Sequence, residues 1–159
     1  MQRHRLEKIV VSVGVGRMRQ NAQFEDKILP SIVEELALIT GQKAATRAAK
    51  KSIAGFKSRE GDVIGLTTTL RGKRMQDFLN RLVNIAFPRV RDFRGVDLEH
   101  FDGRGNLTIG FREHTVFPEI NSETSRTNFG LQVTLVTDVK NKEDGIVFLR
   151  ELGIPLKAK

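Results

Sequence analysis

RAAKKSIAGFKSREGDVIGLTTTLRGKR, residues 47–74, runs from a basic, glycine-bearing loop into an alternating strand and on toward a helix, and the rest of the chain reads outward from it. In Val63 to Leu70, the residues Ile64, Leu66, Thr68 and Leu70 fall on one side and Val63, Gly65, Thr67 and Thr69 on the other. One face is therefore apolar and the other small and polar, the pattern of a strand buried on one side only. Between Gly41 and Arg74, nine basic residues (Lys43, Arg47, Lys50, Lys51, Lys57, Arg59, Arg71, Lys73, Arg74) stand against Glu60 and Asp62, a local balance of +7 in a chain of formal charge +8. Such a density repels itself unless a polyanion neutralises it, and phosphate backbones do so by releasing condensed counterions. A solvated face with flexible lysines is the plainer alternative. Gly55 and Gly61 permit tight turns, however, and Ile53 and Phe56 set apolar groups among the lysines, which a purely solvating loop does not need.

The same two-sided pattern recurs along the chain. In Lys8 to Gly14, Ile9, Val11 and Val13 share one side and Val10, Ser12 and Gly14 the other. Asn106 to Glu113 and Leu131 to Thr137 repeat it, with Leu107, Ile109, Phe111, Leu131, Val133 and Leu135 inward and Thr108, Arg112, Gln132 and Thr134 on the polar face. A further short strand is expected near Ala44 to Ala48. Helical spacing of Ile28, Ile32, Val33, Leu36 and Ile39 predicts a helix within Phe24 to Thr40, regular from Pro30 onward and stopped by Gly41. Its flank carries Glu25, Asp26, Glu34 and Glu35 against Lys27, so it should face away from any RNA. Met75, Phe78, Leu79, Leu82, Ile85 and Ala86 predict a second helix over Arg71 to Ala86, ended by Pro88. Pro88 to Gly105 reads as a long structured loop, and a last helix is capped near Asn141 and ended by Gly153 and Pro155. The order predicts a single α+β domain over residues 1–159, an antiparallel-rich sheet with helices packed on one face and an open, RNA-binding face on the other.

Composition narrows the function. A chain of 159 residues with a pI near 10.2 points to nucleic acid before membrane, and no stretch of 18 apolar residues or signal-like leader occurs. A soluble, cytoplasmic protein without a membrane partner is expected. The absence of cysteine excludes disulfides, thiolate metal sites and cysteine nucleophiles. His4, His100 and His114 lack metal-ligand spacing, no nucleotide or nucleophile-elbow motif occurs, and GVGRMR at Gly14 to Arg19 lacks the third glycine of a dinucleotide fingerprint. No cofactor, metal site or catalytic residue is expected. DGRG at Asp102 to Gly105 lacks the further acidic ligands of a calcium loop and reads as a turn. With neither Trp nor Tyr, a stacking platform for single strands is disfavoured, leaving RNA bound by shape and phosphate. The N-terminal arginines Arg3, Arg5, Arg17 and Arg19 would add phosphate contacts. An RNA-modifying enzyme and a free RNA chaperone are the alternatives from other classes.

Six ordered blocks, ITGQKA (39–44), KKSIAGFKSREG (50–61), TLRGKRM (69–75), PRVRDFRG (88–95), FDGRGN (101–106) and FPEI (117–120), carry a resemblance. Together they resemble bacterial-type large-subunit ribosomal protein five, a family that binds 5S ribosomal RNA. The resemblance implies a place in the central protuberance of the large subunit, 5S rRNA on the open sheet face, a basic loop directed at peptidyl-site tRNA, and a bridge to small-subunit ribosomal protein thirteen, among neighbouring large-subunit rRNA and proteins. Gln42 and Thr69 match family positions on the 5S-facing surface, and the expected set there is Ser12, Gln42, Lys43, Thr67, Thr69 and Arg71. The tRNA-facing loop is expected at Lys50, Lys51, Ser52, Ile53, Ala54, Gly55, Phe56, Lys57 and Arg59. Three departures from the family pattern stand out: Ser12 replaces the usual Asn, Ala44 the usual Pro, and the stretch from Gly16 to Gln42 is a few residues longer. The family's N-terminal helix would precede the first strand, and its RNA contacts are expected to be missing here.

Overall fold

Alternation in LEKIVVSVG gives β1 (Leu6–Gly14) one buried face, and the strand lies at the centre of the sheet with both flanks hydrogen-bonded. The computed structural model describes residues 3–50, 60–125 and 127–158. β1 pairs antiparallel with β3 (Val63–Leu70) on one side and β5 (Leu131–Thr137) on the other. β2 (Ala45–Ala48) and β4 (Leu107–Phe111) form the edges, giving the order β2-β3-β1-β5-β4. Ile9 lies opposite Leu70 and Leu135, Val11 opposite Thr68 and Val133, and Val13 opposite Leu66, all buried on one face.

That face is covered by helices. α1 (Leu29–Thr40) contributes Ile32, Leu36 and Ile39, and α2 (Gly72–Arg81) contributes Met75, Phe78 and Leu79. The short α3 (Phe87–Arg89) adds Phe87, and α4 (Lys142–Glu151) adds Leu149. All of them join the sheet's apolar residues in one core cluster. Each fully buried Ile, Leu or Phe contributes about 1.5–3 kcal/mol, so this layer is what keeps the opposite face free of structural duty. Local signals bound the helices as the sequence predicts: Gly41 closes α1 at φ 78°, and the Asn141 side chain accepts from the Asp144 N–H at 2.8 Å to cap α4.

Pro88 behaves differently from the sequence expectation. It does not end the second helix, which continues to Arg89 before Val90 turns extended. A proline cannot donate to the carbonyl four residues back, and its ring collides with that carbonyl. For Pro88 that residue is Asn84, in the middle of a wide π turn at Leu82–Ala86, and for Pro30 it is Asp26, in the middle of another at Phe24–Ile28. Widening the helix at these two places accommodates the ring and lets the chain remain helical. The loop from residue 90 to 106 is tied down by a bridge from Val96 to Leu156 and another from Phe101 to Leu107, and the DGRG segment is a turn as expected. There the Asp102 Oδ1 accepts from the N–H groups of Arg104 at 2.8 Å and Asn106 at 2.9 Å.

Candidate nucleic-acid interface

Strand register places the small polar side chains in rows across the uncovered face. One row runs Thr69, Val10, Thr134, Thr108; the next runs Ala45, Thr67, Ser12, Gln132, Gly110; a third runs Arg47, Gly65, Gly14. Thr108 and Thr134 share a hydroxyl contact of 3.2 Å, while Ser12, Thr67 and Thr69 make no side-chain hydrogen bond among the described residues and are half-buried. Hydroxyls held at fixed spacing on a rigid sheet, with no internal partner, suit the sugar and phosphate oxygens displayed by the minor groove of an RNA helix.

The expected 5S-facing residues converge on the β3 half of this face. Thr67 and Thr69 project from it, Ser12 sits beside Thr67, and Lys43 and Arg71 are exposed at the ends of the neighbouring segments. Gln42 has a different place from Thr69. Its Nε2 donates to the Thr69 carbonyl at 3.0 Å, and its Oε1 accepts from Arg74 Nη1 at 3.2 Å. The side chain thus continues the pairing along β3 past the first residue of β2, so a Gln42→Ala change would disturb the sheet as well as any ligand.

Of the four N-terminal arginines, Arg19 is unavailable to phosphate, contrary to expectation. Its guanidinium lies 3.1 Å from Asp62 and 3.7 Å from Glu25, donates to the Val63 carbonyl at 3.2 Å, and covers the Phe24 ring. Only 14% of its side chain is accessible. Arg3, Arg5 and Arg17 are exposed.

Lys51, Ser52, Ile53, Ala54, Gly55, Phe56, Lys57 and Arg59 lie outside the described residues, while Lys50 is described and exposed. The neck of that segment is well defined. Ala49 N–H donates to the Asp62 carbonyl at 2.7 Å and Gly61 N–H to the Ala49 carbonyl at 2.9 Å, with Gly61 at φ 91°. The segment therefore leaves from the β2–β3 hairpin, at the end of the sheet where Gly65 and Gly14 pair.

No constellation for catalysis forms among the described histidines. His114 is fully buried: its Nε2 bonds Glu35 at 2.6 Å and Ser125 at 3.1 Å, its Nδ1 accepts from the Phe129 N–H, and its ring stacks on Phe129. That arrangement pins α1 to the segment leading into β5. Among the described residues, no group of three or more His, Asp or Glu could hold a metal ion, and no helix is long and apolar enough to cross a membrane.

At the far end of the open face, Ser12, Gly14, Gly110, Arg112, Gly130 and Gln132 enclose a shallow depression of about 490 Å³. It adjoins a groove of about 660 Å³ at the β4 edge that holds Arg89, Arg91 and Arg112 along with Asp92 and Glu113. Sequence reading placed Arg112 and Gln132 on the polar face but missed Gly110, Arg89 and Arg91. The available signal was a glycine in a strand interior, which weakens a strand and needs a reason.

Comparisons with known proteins agree with this architecture. The family described as Ribosomal protein L5 matches residues 1–59, and the separate model of that ribosomal family's C-terminus matches residues 63–156. A large ribosomal subunit protein uL5 from Desulfatibacillum aliphaticivorans is 53% identical over 157 residues, covering 99% of this chain and 86% of the relative. Its namesake from Anaeromyxobacter sp. (strain K) is 52% identical, covering 99% and 85%. The uL5c protein of Paulinella chromatophora is 48% identical over 154 residues, covering 97% and 84%. With both halves matched and such relatives aligned across nearly its whole length, the chain belongs to the ribosomal protein L5 family, whose members are structural rather than enzymatic.

Proposed function

We propose that the chain is a structural constituent of the large ribosomal subunit, in the cytoplasm, and that it holds 5S rRNA on its open sheet face in the central protuberance. The observation that carries this reading is the set of hydroxyls on two adjacent rows, Thr69 on one and Thr67 and Ser12 on the next, that make no side-chain hydrogen bond among the described residues and are flanked by the exposed Lys43, Arg47 and Arg71. The segment from Lys50 to Gly61 faces peptidyl-site tRNA, and the protein bridges to small-subunit ribosomal protein thirteen. Cationic side chains near the surface of a fixed scaffold position RNA through phosphate, while the hydroxyls read the 2′-OH that distinguishes RNA from DNA.

Thr69 and Thr68 test the face assignment as a pair, because they are neighbours pointing to opposite sides of β3. Thr69→Val keeps shape and strand preference but removes a hydroxyl from the open face, and is expected to weaken 5S rRNA binding by about 0.5–1.5 kcal/mol with little change in thermal stability. Thr68 is 1% exposed and its hydroxyl has no hydrogen-bond partner among the described residues. Thr68→Val should therefore leave RNA binding unchanged and stabilise the fold by up to about 1 kcal/mol. The measurement is RNA titration beside thermal unfolding for both variants; loss of binding from Thr68→Val with none from Thr69→Val would reverse the face assignment.

The loop proposal has its own test. Replacing Ser52 to Ser58 by a tight glycine turn leaves the hairpin neck at Ala49 and Gly61 in place, so 5S rRNA affinity should stay within about threefold. Retention of peptidyl-site tRNA by ribosomes carrying the variant should fall. Collapse of 5S rRNA binding with unchanged tRNA dissociation would assign the loop to the other partner.

A further inference from the structure

We propose that the corner of the sheet floored by Gly14 and Gly110 takes the ribose-phosphate backbone of the bound RNA in close approach, and that the adjoining Arg89, Arg91 and Arg112 groove carries that strand over the β4 edge. This rests on the RNA reading of the sheet face and extends its footprint about 13 Å along the strands from the Thr69 row.

Two strand glycines have no reason to be glycine among the described residues. Among the described residues, a Cβ built at Gly14 or Gly110 would meet nothing within 4 Å, and neither residue has a positive φ. Gly130, on the same rim, is explained from inside the protein, because its Cβ would lie 2.9 Å from the Phe111 carbonyl oxygen. Glycine in a strand forgoes packing and costs backbone entropy, so where no internal contact demands it, close approach by another backbone is the remaining use.

The surroundings say which backbone. Ser12 and Gln132 wall the floor and offer a hydroxyl and an amide to a ribose 2′-OH. Arg112 belongs both to the depression and to the groove beside it, where Arg89 and Arg91 join it. Among the described residues these three guanidiniums make no hydrogen bond or ion pair that would already spend their charge, and all three are exposed. Arginine is suited to bidentate contact with phosphate. Asp92 and Glu113 share the groove, so an oxygen seated away from the arginines meets a carboxylate. The groove therefore selects a path for the backbone instead of merely attracting polyanions.

Gly110→Val in the full chain tests the floor, since valine suits a strand and its Cβ would meet none of the described residues within 4 Å. Its melting temperature should equal or exceed that of the parent, while 5S rRNA affinity falls about tenfold, the size of losing one charge-assisted contact. Arg112→Gln should reduce the slope of log affinity on log salt by about 0.9, one phosphate contact. If Gly110→Val binds within twofold of the parent while Thr69→Val binds weakly, the sheet reading stands and this extension of it falls. If neither variant alters binding and the parent itself shows no salt response, the RNA reading falls with it. Should Gly110→Val lower the melting temperature, Arg112→Gln decides alone, and an unchanged slope overturns the proposal.

Discussion

Raising monovalent salt from about 50 mM to about 200 mM is expected to weaken 5S rRNA binding about a thousandfold, with a slope of log affinity on log salt of about −4 to −7. The expectation follows from counting cations that can reach phosphate. Lys43, Arg47, Lys50, Arg71, Lys73, Arg17 and Arg112 are exposed, and none of them is held in an ion pair among the described residues. Arg19 is left out because Asp62 and Glu25 already neutralise it. If about five to eight of these cations and the equally exposed Arg89 and Arg91 displace condensed counterions, each lowers the slope by about 0.9. Filter binding or fluorescence titration across a salt series measures it directly. A flat response would mean that the hydroxyl rows, and not the charge, hold the RNA.

Substituting Gly145 by Ala is expected to destabilise the fold by about 3 kcal/mol, at the upper end for overpacking, and to lower the melting temperature by about 6–12 °C. Propensity alone predicts the opposite, because alanine in the helix interior gains about 1 kcal/mol over glycine. Contact decides the sign. A Cβ on Gly145 would lie 2.5 Å from the Cα of Gly105 and 2.7 Å from its carbonyl oxygen, both of them backbone atoms that cannot swing aside. Gly105 is equally committed: it holds φ 84°, its carbonyl accepts from the Thr137 hydroxyl at 3.1 Å, and a Cβ there would overlap Val139. The first turn of α4 thus docks directly on the Asp102–Asn106 turn. That turn is itself held by the Asp102 carboxyl, which burial raises but which the hydrogen bonds from Asn106 and Arg104 bring below its ordinary value. Gly103→Ala, where a Cβ meets nothing within 4 Å among the described residues, is the control and should shift stability by no more than about 0.5 kcal/mol. Calorimetric unfolding of the two variants separates them; a stabilised Gly145→Ala would show that α4 sits loosely on the turn.

Much of this molecule follows from the order of its residues alone. Neighbours on a strand point to opposite sides, so the alternation in residues 8–14, 63–70, 106–111 and 131–137 determined which side chains would be buried and which would line an open face, before any strand was paired. Thr69 outward and Thr68 inward are legible in that way, as is the cap at Asn141 and the stop at Gly41. The basic cluster around residues 41–74 is equally local, and the charge alone points to a polyanion. Tertiary structure decided the rest, because those outcomes depend on which distant segments meet. Arg19 looks like any surface arginine until Asp62 is brought beside it, and Gln42 like a free ligand until β3 ends at its amide. His114 becomes a clamp only when Glu35, 79 residues earlier, arrives at 2.6 Å. Pro88 stays within a helix because the preceding turn widens, and the glycine floor at Gly14 and Gly110 appears only when β5 draws β1 and β4 together, since a missing side chain gains meaning from what lies opposite it.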